Sequence, residues 1–381
     1  MASTLVTILS FLVIFTVIVV SHEFGHFIIG RINGIDVEEF AIGMGPAIFK
    51  KKFKHTTLAI RLFPIGGACV FRGMDVLGDT EEEDNEEETL DEDGNEVDKK
   101  KLSVKERRAM LPDGSFAKAS VGARIATVLA GPIFNIILAY LLSLFICWNC
   151  GSDLPIVSGI SDGMPAQEAG LQEGDVIKEI NGEKICVWGE VSLISMMSNG
   201  EPLNIVYERD GKTYKTTIVP QYSKEAGRYY IGLIGGNIQA DGRNLNVFKY
   251  GAYEVRYWFV ATYKSIGYMF SGRGSLDDLA GPVGVANVID DTIEETQQYG
   301  WFTVFINMVN IAVLLSVNLG IINMLPFPAI DGGRLIFLLW EAITGKPVPP
   351  EKEGIVHLIG IILLFALMIV VLFNDIGKFF R

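Results

Sequence analysis

Four long apolar stretches constrain this chain more than any other feature of its sequence. A helix needs about 20 apolar residues to cross a hydrocarbon core of roughly 30 Å. Because backbone polar groups find no water inside a bilayer, helices and closed barrels are the structures that span it. We therefore predict a polytopic α-helical membrane protein with four transmembrane helices, within residues 1–31, 125–148, 299–333 and 355–374.

The composition supports this prediction, since 49% of the 381 residues are hydrophobic and the mean hydropathy is +0.34. That is too apolar for an ordinary soluble enzyme of this length. The net charge of −13 is concentrated in an insert at residues 79–98, which holds thirteen acids and no base. We interpret the insert as solvated and disordered, with a calcium site or an acidic docking tail as alternatives. No basic stripe with interleaved aromatic residues occurs, so we expect no nucleic-acid partner.

The distribution of lysine and arginine predicts the orientation in the membrane. No base precedes the first span, whereas five follow it within residues 31–54. Lys118 and Arg124 lie just before the second span, and three bases lie between the third and fourth spans. We therefore place residues 31–124 in the cytoplasm, and residues 150–298 and both termini outside it.

The segment at residues 152–235 has a different character and predicts a small β-rich domain outside the membrane. Its strand-like runs are separated by turn signals such as Asn181-Gly182 and Asp210-Gly211. The juxtamembrane region that follows, residues 236–298, includes an aromatic-rich stretch with three spaced bases at 245–270. That stretch predicts either an amphipathic helix on the outer membrane surface or a helix packed on the β-rich domain.

Residues 32–124, between the first and second spans, predict a small cytoplasmic sheet. The stretches at 35–49 and 57–71 alternate roughly between apolar and polar residues, and glycines and prolines punctuate both. We expect this sheet to dip towards the first span, where non-helical backbone must be buried in protein or line a wet cavity. An open edge of such a sheet is able to pair with an unwound peptide segment.

The main chemical signal is an H-E-x-x-H motif inside the first apolar stretch, His22-Glu23-Phe24-Gly25-His26. On a helix, His22 and His26 share one face, where two imidazoles can hold one Zn²⁺. Glu23 beside the metal can take a proton from zinc-bound water. The alternative is a helix end whose side chains reach interfacial water. We prefer the metal site, because ionisable groups within a span are costly and usually functional.

A catalytic zinc keeps three protein ligands, so the third must come from elsewhere in the chain. Asp331 and His357 are the candidates with access to membrane depth. Asp331 follows Pro326 and Pro328 and precedes two glycines, a run that breaks the third helix and bends the chain inward. We prefer Asp331, with a helix-capping role as its alternative. His357 stands alone on an apolar helix, where a structural role is favoured.

These motifs resemble the site-2 protease family of M50-type intramembrane metalloproteases, and specifically the bacterial type that acts on the sigma-E response and carries a single PDZ domain. The resemblance covers nearly the whole chain. Beside the H-E-x-x-H motif it rests on five further runs, namely Gly43-Met44-Gly45, Ala130-Gly131-Pro132-Ile133-Phe134-Asn135, the PDZ-like stretch 164–185, Gly281-Pro282-Val283-Gly284 and the N-x-x-P-x-P-x-x-D-G-G run at 323–333.

The resemblance implies a role for each residue of the predicted metal site. His22, His26 and Asp331 would be the ligands of one zinc ion, and Glu23 would be the general base. The family is located in the bacterial cell membrane, which is therefore the expected location of this chain.

The resemblance also implies what the site acts on. The family cleaves membrane-spanning anti-sigma factors after a first cut outside, and often clears signal-peptide remnants, so single-span membrane proteins are the expected substrates and lipid surrounds the enzyme. Asn323 would hold the substrate or polarise its scissile carbonyl, and we place Gly43 and Gly45 in substrate binding. The PDZ domain would exclude substrates whose outer domain is still intact.

The sequence therefore predicts an intramembrane zinc metalloprotease that hydrolyses peptide bonds in transmembrane segments during regulated intramembrane proteolysis. The alternative is a catalytically silent, membrane-anchored PDZ adaptor, against which the intact Glu23 argues because only catalysis needs that carboxylate. A transporter with broken helices ranks lower, since no repeat relates the two halves of the chain.

Overall fold

The computed structural model describes residues 2–74, 108, 110–223, 228–272, 274 and 279–378. The acidic insert at 79–98 lies outside the described residues, so its interpretation stays a prediction. The described helices are, in chain order, α1 (Ala2–Ile32), α2 (Val121–Cys150), α3 (Pro165–Glu168), α4 (Trp188–Met197), α5 (Asn246–Phe270), α6 (Pro282–Thr296), α7 (Trp301–Met324), α8 (Asp331–Thr344) and α9 (Pro350–Lys378). Four of these, α1, α2, α7 and α9, are long and apolar enough to cross a membrane, which confirms the predicted class of fold.

The described strands are β1 (Val37–Phe53), β2 (Thr56–Phe71), β3 (Ser152–Asp153), β4 (Val157–Ile160), β5 (Val176–Ile180), β6 (Glu183–Lys184), β7 (Leu203–Arg209), β8 (Lys212–Ile218), β9 (Gln221–Ser223), β10 (Arg228–Tyr230), β11 (Leu233–Gly235) and β12 (Gln239–Ala240). The chain divides into two compact units. The first comprises Met1–Leu138, Leu276–Met308 and Leu319–Arg381, and the second comprises Ala139–Ser275 and Val309–Asn318.

In the first unit, β1 and β2 are long, bent strands that form one sheet beside α1. Residues 39–42 of β1 have partners on both sides, residues 57–60 on one and residues 67–70 on the other. The bend in β1 occurs at Gly43 and Gly45, which both have a φ of +86°, a conformation that glycine adopts without strain. The bend folds two strands into a wider sheet, and this places residues 67–70 next to α1.

The chain breaks between α7 and α8, where two prolines lack the N–H groups that a continuous helix requires. The helix that we predict to continue to residue 333 ends instead at Met324, and a new helix begins at Asp331. Gly332 and Gly333 lie against the backbone carbonyls of Leu325 and Phe327, where a Cβ atom would have no room. The two glycines therefore hold the start of α8 tightly against the connecting loop.

A buried ion pair joins α8 to the start of α2. Glu341 is 8% exposed and Arg124 is 4% exposed. Two nitrogens of Arg124 donate to the two carboxylate oxygens, at 2.7 and 3.2 Å, and Arg108 donates to one of them at 2.6 Å. A bidentate guanidinium–carboxylate contact fixes orientation as well as distance. This contact therefore restrains the rotation of α8 relative to α2.

A second buried carboxylate joins α9 to α6. Asp375 is 1% exposed and accepts hydrogen bonds from the backbone N–H groups of Gly281 and Gly284, at 3.0 and 2.8 Å. It caps the start of α6, where backbone donors have no partner within the helix. The two glycines of the Gly281-Pro282-Val283-Gly284 run lie so close to Asp375 that larger residues would displace it.

The second unit contains the β-rich domain and α5. A sheet with the strand order β6-β5-β7-β8 packs on α4, around a core that includes Ile177, Ile180 and Ile205. Helix α5 contacts this domain, because Arg256 pairs with Glu190 on α4 and Lys264 pairs with Glu183 at 2.7 Å. Of the two alternatives for this aromatic-rich stretch, these contacts favour a helix packed on the β-rich domain.

We predict that Glu341→Gln destabilises the protein by about 3–5 kcal/mol, because it leaves Arg124 buried without a compensating charge. Burial raises the pKa of Glu341, but hydrogen bonds from Arg124 and Arg108 outweigh burial and set it below the usual 4.5. The stability that the charged form contributes is therefore complete above pH 4.5 and is lost as the pH falls below that value.

Denaturant unfolding in detergent micelles measures this effect. The control is Asp113→Asn, since Asp113 forms an exposed pair with Lys118 and its loss should leave stability unchanged. Equal stability of the wild type and Glu341→Gln at neutral pH would contradict the account.

Candidate metal centre

Two histidines of α1 face the same point. His22 and His26 lie one helical turn apart, and their Nε2 atoms are 3.2 Å from each other. The residues are 7% and 8% exposed, respectively. The four-residue spacing produces this arrangement locally, because residues i and i+4 of a helix lie above one another.

Asp331 comes to the same point from the first turn of α8. Its Oδ2 atom lies 3.0 Å from His22 Nε2 and 3.3 Å from His26 Nε2. The N-cap residue of α8 is Ile330, and Asp331 follows it in the first turn, so Asp331 is not the capping residue. The start of a helix is also a favourable place for a carboxylate, because the helix dipole is positive there.

The three donor atoms fit a zinc ion. Four ligands at about 2.0–2.1 Å in a tetrahedron lie about 3.3 Å from one another, close to the 3.0, 3.2 and 3.3 Å measured here. The Oδ2 atom of Asp331 is buried and has no hydrogen bond of acceptable geometry within the described part of the chain, a deficit that a cation would satisfy. Two imidazoles and one carboxylate form a catalytic type of donor set, which leaves one position open.

Within the described ranges, these three residues are the one group of at least three His, Cys, Asp or Glu side chains with ligand atoms close enough to share an ion. His357, the other candidate for the third ligand, lies in α9 and is not a member of the group. The structure therefore brings Asp331, and not His357, to the two histidines.

Glu23 follows His22 in α1 and lies beside β2. A Cβ atom on Gly67 would be 3.0 Å from the Cγ of Glu23, a tight contact, so the glycine eases the close approach of the sheet to this side chain. Burial, followed by the charge of Glu23, raises the pKa of the Cys69 thiol in the same strand far above its usual value. In the absence of a nearby cation that thiol is therefore neutral at ordinary pH.

The residues predicted to bind substrate lie at different places. Asn323 is half-buried in the last turn of α7, and no described hydrogen bond joins it to the three donors. Gly43 and Gly45 lie against Phe63 at the bend of the sheet. The glycine that lies against the H-E-x-x-H motif is Gly67. The sequence did not reveal it, because its position depends on how the sheet packs on α1.

Helix α2 contributes contacts to both histidines that the sequence did not reveal. The carbonyl oxygen of Thr127 lies 2.8 Å from His26 Nδ1, and the amide nitrogen of Asn135 lies 3.3 Å from His22 Nδ1. Gly131 lies between them, and a Cβ atom there would collide with His26 Nε2. Thr127, Gly131 and Asn135 are spaced by four residues, so they lie on one face of α2. A helical projection of the sequence shows this shared face, although it does not show which residues pack against it.

Comparisons with known proteins agree with this site. The sequence profile described as peptidase family M50 matches residues 10–367. The zinc metalloprotease RasP of Geobacillus kaustophilus is 34% identical, and the match covers 100% of this chain and 100% of that protein. The regulator of sigma-W protease RasP of Bacillus subtilis is 33% identical, over 98% of this chain and 99% of that protein.

Two solved structures match a smaller part of the chain. The PDZ domain of an SdrC-like protein from Listeria monocytogenes is 23% identical with a TM-score of 0.19, over 22% of this chain and 87% of that one. Its counterpart from Listeria innocua is 25% identical with a TM-score of 0.21, over 23% of this chain and 98% of that one.

The chain belongs to peptidase family M50. With its four membrane-spanning helices, it is an intramembrane zinc metalloprotease, so the predicted family, class of enzyme and cofactor are confirmed. Membership of a peptidase family also favours the enzyme over the alternative of a silent adaptor.

We predict that Gly131→Ala prevents zinc binding, because the added methyl group would occupy the space of the His26 imidazole. Zinc content after purification in detergent, measured by inductively coupled plasma mass spectrometry, should fall to a small fraction of that of the wild type. Gly122→Ala is the matched control, since a Cβ atom at Gly122 in the same helix would meet nothing within 4 Å. Normal zinc content in Gly131→Ala would show that the histidines do not occupy this position.

Proposed function

We propose that this protein cleaves peptide bonds within transmembrane segments, with His22, His26 and Asp331 holding the zinc ion and Glu23 acting as general base. The observation that carries this assignment is the convergence of three buried donor atoms within 3.3 Å beside a carboxylate. Burying such groups in an apolar helix is costly, and a shared cation offsets that cost.

The chemistry divides between the metal and the protein. Bound zinc would supply Lewis-acid polarisation of the scissile carbonyl and of the attacking water. The Glu23 carboxylate takes a proton from that water and passes it to the nitrogen of the departing amine. His22 and His26 each present one ring nitrogen to the ion, and Asp331 supplies a negative charge from the start of α8.

The sheet gives a substrate access to this site. We propose that an unwound segment pairs with the sheet near residues 67–70, since Gly67 contacts Glu23. Strand pairing would expose a peptide bond that a transmembrane helix keeps closed. In this scheme Asn323 holds the substrate or polarises its carbonyl, and Gly43 and Gly45 shape the bend that brings the strands together.

We infer that the substrates are single-span membrane proteins, such as anti-sigma factors and signal-peptide remnants. The name of the Bacillus subtilis relative, a regulator of sigma-W protease, supports a role of this kind in regulated intramembrane proteolysis. The placement of bases supports a bacterial cell-membrane protein whose termini and β-rich domain lie outside the cytoplasm. In that position, the β-rich domain would act as a PDZ filter against substrates with large outer domains, and lipid would surround the spans.

We predict that Glu23→Gln lowers the rate of cleavage by about 10²–10⁴-fold, since the amide cannot accept the proton. Its zinc content should stay at about one ion per chain, as expected for a three-ligand site. The assay is cleavage of a tagged single-span substrate by the purified protein, with zinc quantified in parallel.

Glu173→Gln, at an exposed position of the β-rich domain, is the control and should cleave normally. Full activity of Glu23→Gln would sink the assignment of the base, and an absence of both cleavage and zinc in the wild type would favour an adaptor.

We also predict that Asp331→Asn lowers zinc affinity by more than about 100-fold. This is a larger loss than usually follows from replacing a residue that only hydrogen-bonds to a metal ligand. The reason is that a neutral amide replaces the anionic ligand. Competition with a chromogenic zinc chelator measures the dissociation constant. Asp331→Asn with the zinc affinity and activity of the wild type would refute its role as a ligand.

A further inference from the structure

We propose that Asn135 is a positioning residue that determines which ring nitrogen of His22 faces the metal. The inference rests on the proposed function, because it takes His22 to be a zinc ligand. Asn135 is fully buried in α2, and its amide nitrogen lies 3.3 Å from His22 Nδ1. A neutral imidazole carries one proton, and the hydrogen bond at one nitrogen decides whether the other can bind a metal.

His26 shows how the backbone fixes the same choice. Its Nδ1 atom lies 2.8 Å from the carbonyl oxygen of Thr127. A carbonyl oxygen only accepts hydrogen bonds, so Nδ1 of His26 must donate and Nε2 keeps its lone pair. That lone pair faces the side where His22 and Asp331 converge. The tautomer of His26 is thus determined by a backbone group that no substitution removes.

His22 has no such backbone partner among its described contacts and depends on the amide of Asn135. The two ends of that amide demand opposite tautomers. If the nitrogen donates to Nδ1, the proton of His22 sits on Nε2 and blocks metal binding. If the amide turns by 180°, its oxygen accepts a hydrogen bond from the N–H at Nδ1, and Nε2 keeps its lone pair for the ion. A zinc site therefore requires the oxygen of Asn135 to face His22, and a buried amide fixed on α2 can provide it.

Gly131 makes this arrangement possible. It lies one helical turn from both Thr127 and Asn135, and any Cβ atom at this position would collide with the imidazole of His26. Thr127, Gly131 and Asn135 thus lie on a single face of α2, and the missing side chain of Gly131 leaves room for the imidazole between the other two. One helix can then orient both imidazoles, because their two Nδ1 atoms point to the same neighbour.

Two substitutions of similar size at Asn135 show whether its side chain acts as a hydrogen-bond acceptor, as a hydrogen-bond donor or only through packing. Asn135→Asp keeps an oxygen acceptor and loses the N–H donor, whereas Asn135→Leu keeps the volume and loses both. We expect Asn135→Asp to retain the zinc affinity of the wild type and Asn135→Leu to bind zinc about 10–100-fold more weakly. The full-length protein in detergent is titrated against a chromogenic chelator, and thermal unfolding of the zinc-free proteins controls for loss of fold.

A spectroscopic readout tests the tautomer directly. The chain has four histidines, so ¹⁵N-histidine labelling gives a spectrum of few signals. In the zinc-loaded wild type and in Asn135→Asp, we expect the proton of His22 on Nδ1. The signals of His22 are identified as those that are missing from the spectrum of His22→Gln. Equal loss of zinc affinity in Asn135→Asp and Asn135→Leu would overturn the proposal, because a donor or packing role predicts that result.

The variants also distinguish the positioning role of Asn135 from the metal site itself. If His22→Gln and Asp331→Asn lose zinc affinity while Asn135→Leu keeps it, the positioning role fails and the metal site stands. If His22→Gln keeps the zinc affinity of the wild type, the proposed function fails, and the positioning role fails with it.

Discussion

The structure depends on one electrostatic constraint. The imidazoles of His22 and His26 and one carboxylate oxygen of Asp331 are buried at the same point among apolar helices, where polar groups are costly. Asp331 is more than 300 residues away from His22 and His26 in sequence, yet the donor atoms of all three lie within 3.3 Å of one another. Left alone, these polar groups would cost several kcal/mol of desolvation. At the proposed site a bound cation would offset that cost, and this would couple folding to metal binding in the region.

That burial is possible because α2, the β1–β2 sheet and α8 come close to these side chains or to their supporting loops. Glycines at the contact points permit this close approach. Gly131 lets α2 pass over the imidazoles, Gly67 lets the sheet reach Glu23, and Gly332 and Gly333 press the start of α8 against its loop. At the far end of α8, the buried Glu341 pair restrains the same helix. The proposed carboxylate ligand, Asp331, thus lies on a helix that is held at both ends. Such preorganisation is what a catalytic metal site requires of its supporting structure.

Local patterns in the sequence predicted a large part of this architecture. Spans follow from apolar length, and the pairing of His22 with His26 follows from helical spacing alone. The preference for Asp331 came from the proline and glycine run, and the family resemblance then supported it. Helical spacing alone could not give it, because the approach of Asp331 to α1 is a long-range contact. Asn135 could not be recognised as a neighbour of His22, since a buried amide acquires its role only when another helix packs against it. Gly67 was missed for the same reason.

The central claim is that one zinc ion is bound by two imidazole nitrogens and one carboxylate oxygen. Zinc K-edge X-ray absorption of the purified full-length chain tests it most directly. We expect scattering from nitrogen and oxygen at about 2.0–2.2 Å, with the multiple-scattering pattern of two imidazole rings and no sulfur. A zinc–sulfur distance of about 2.3 Å would place the ion at one of the four cysteines instead and would contradict the account.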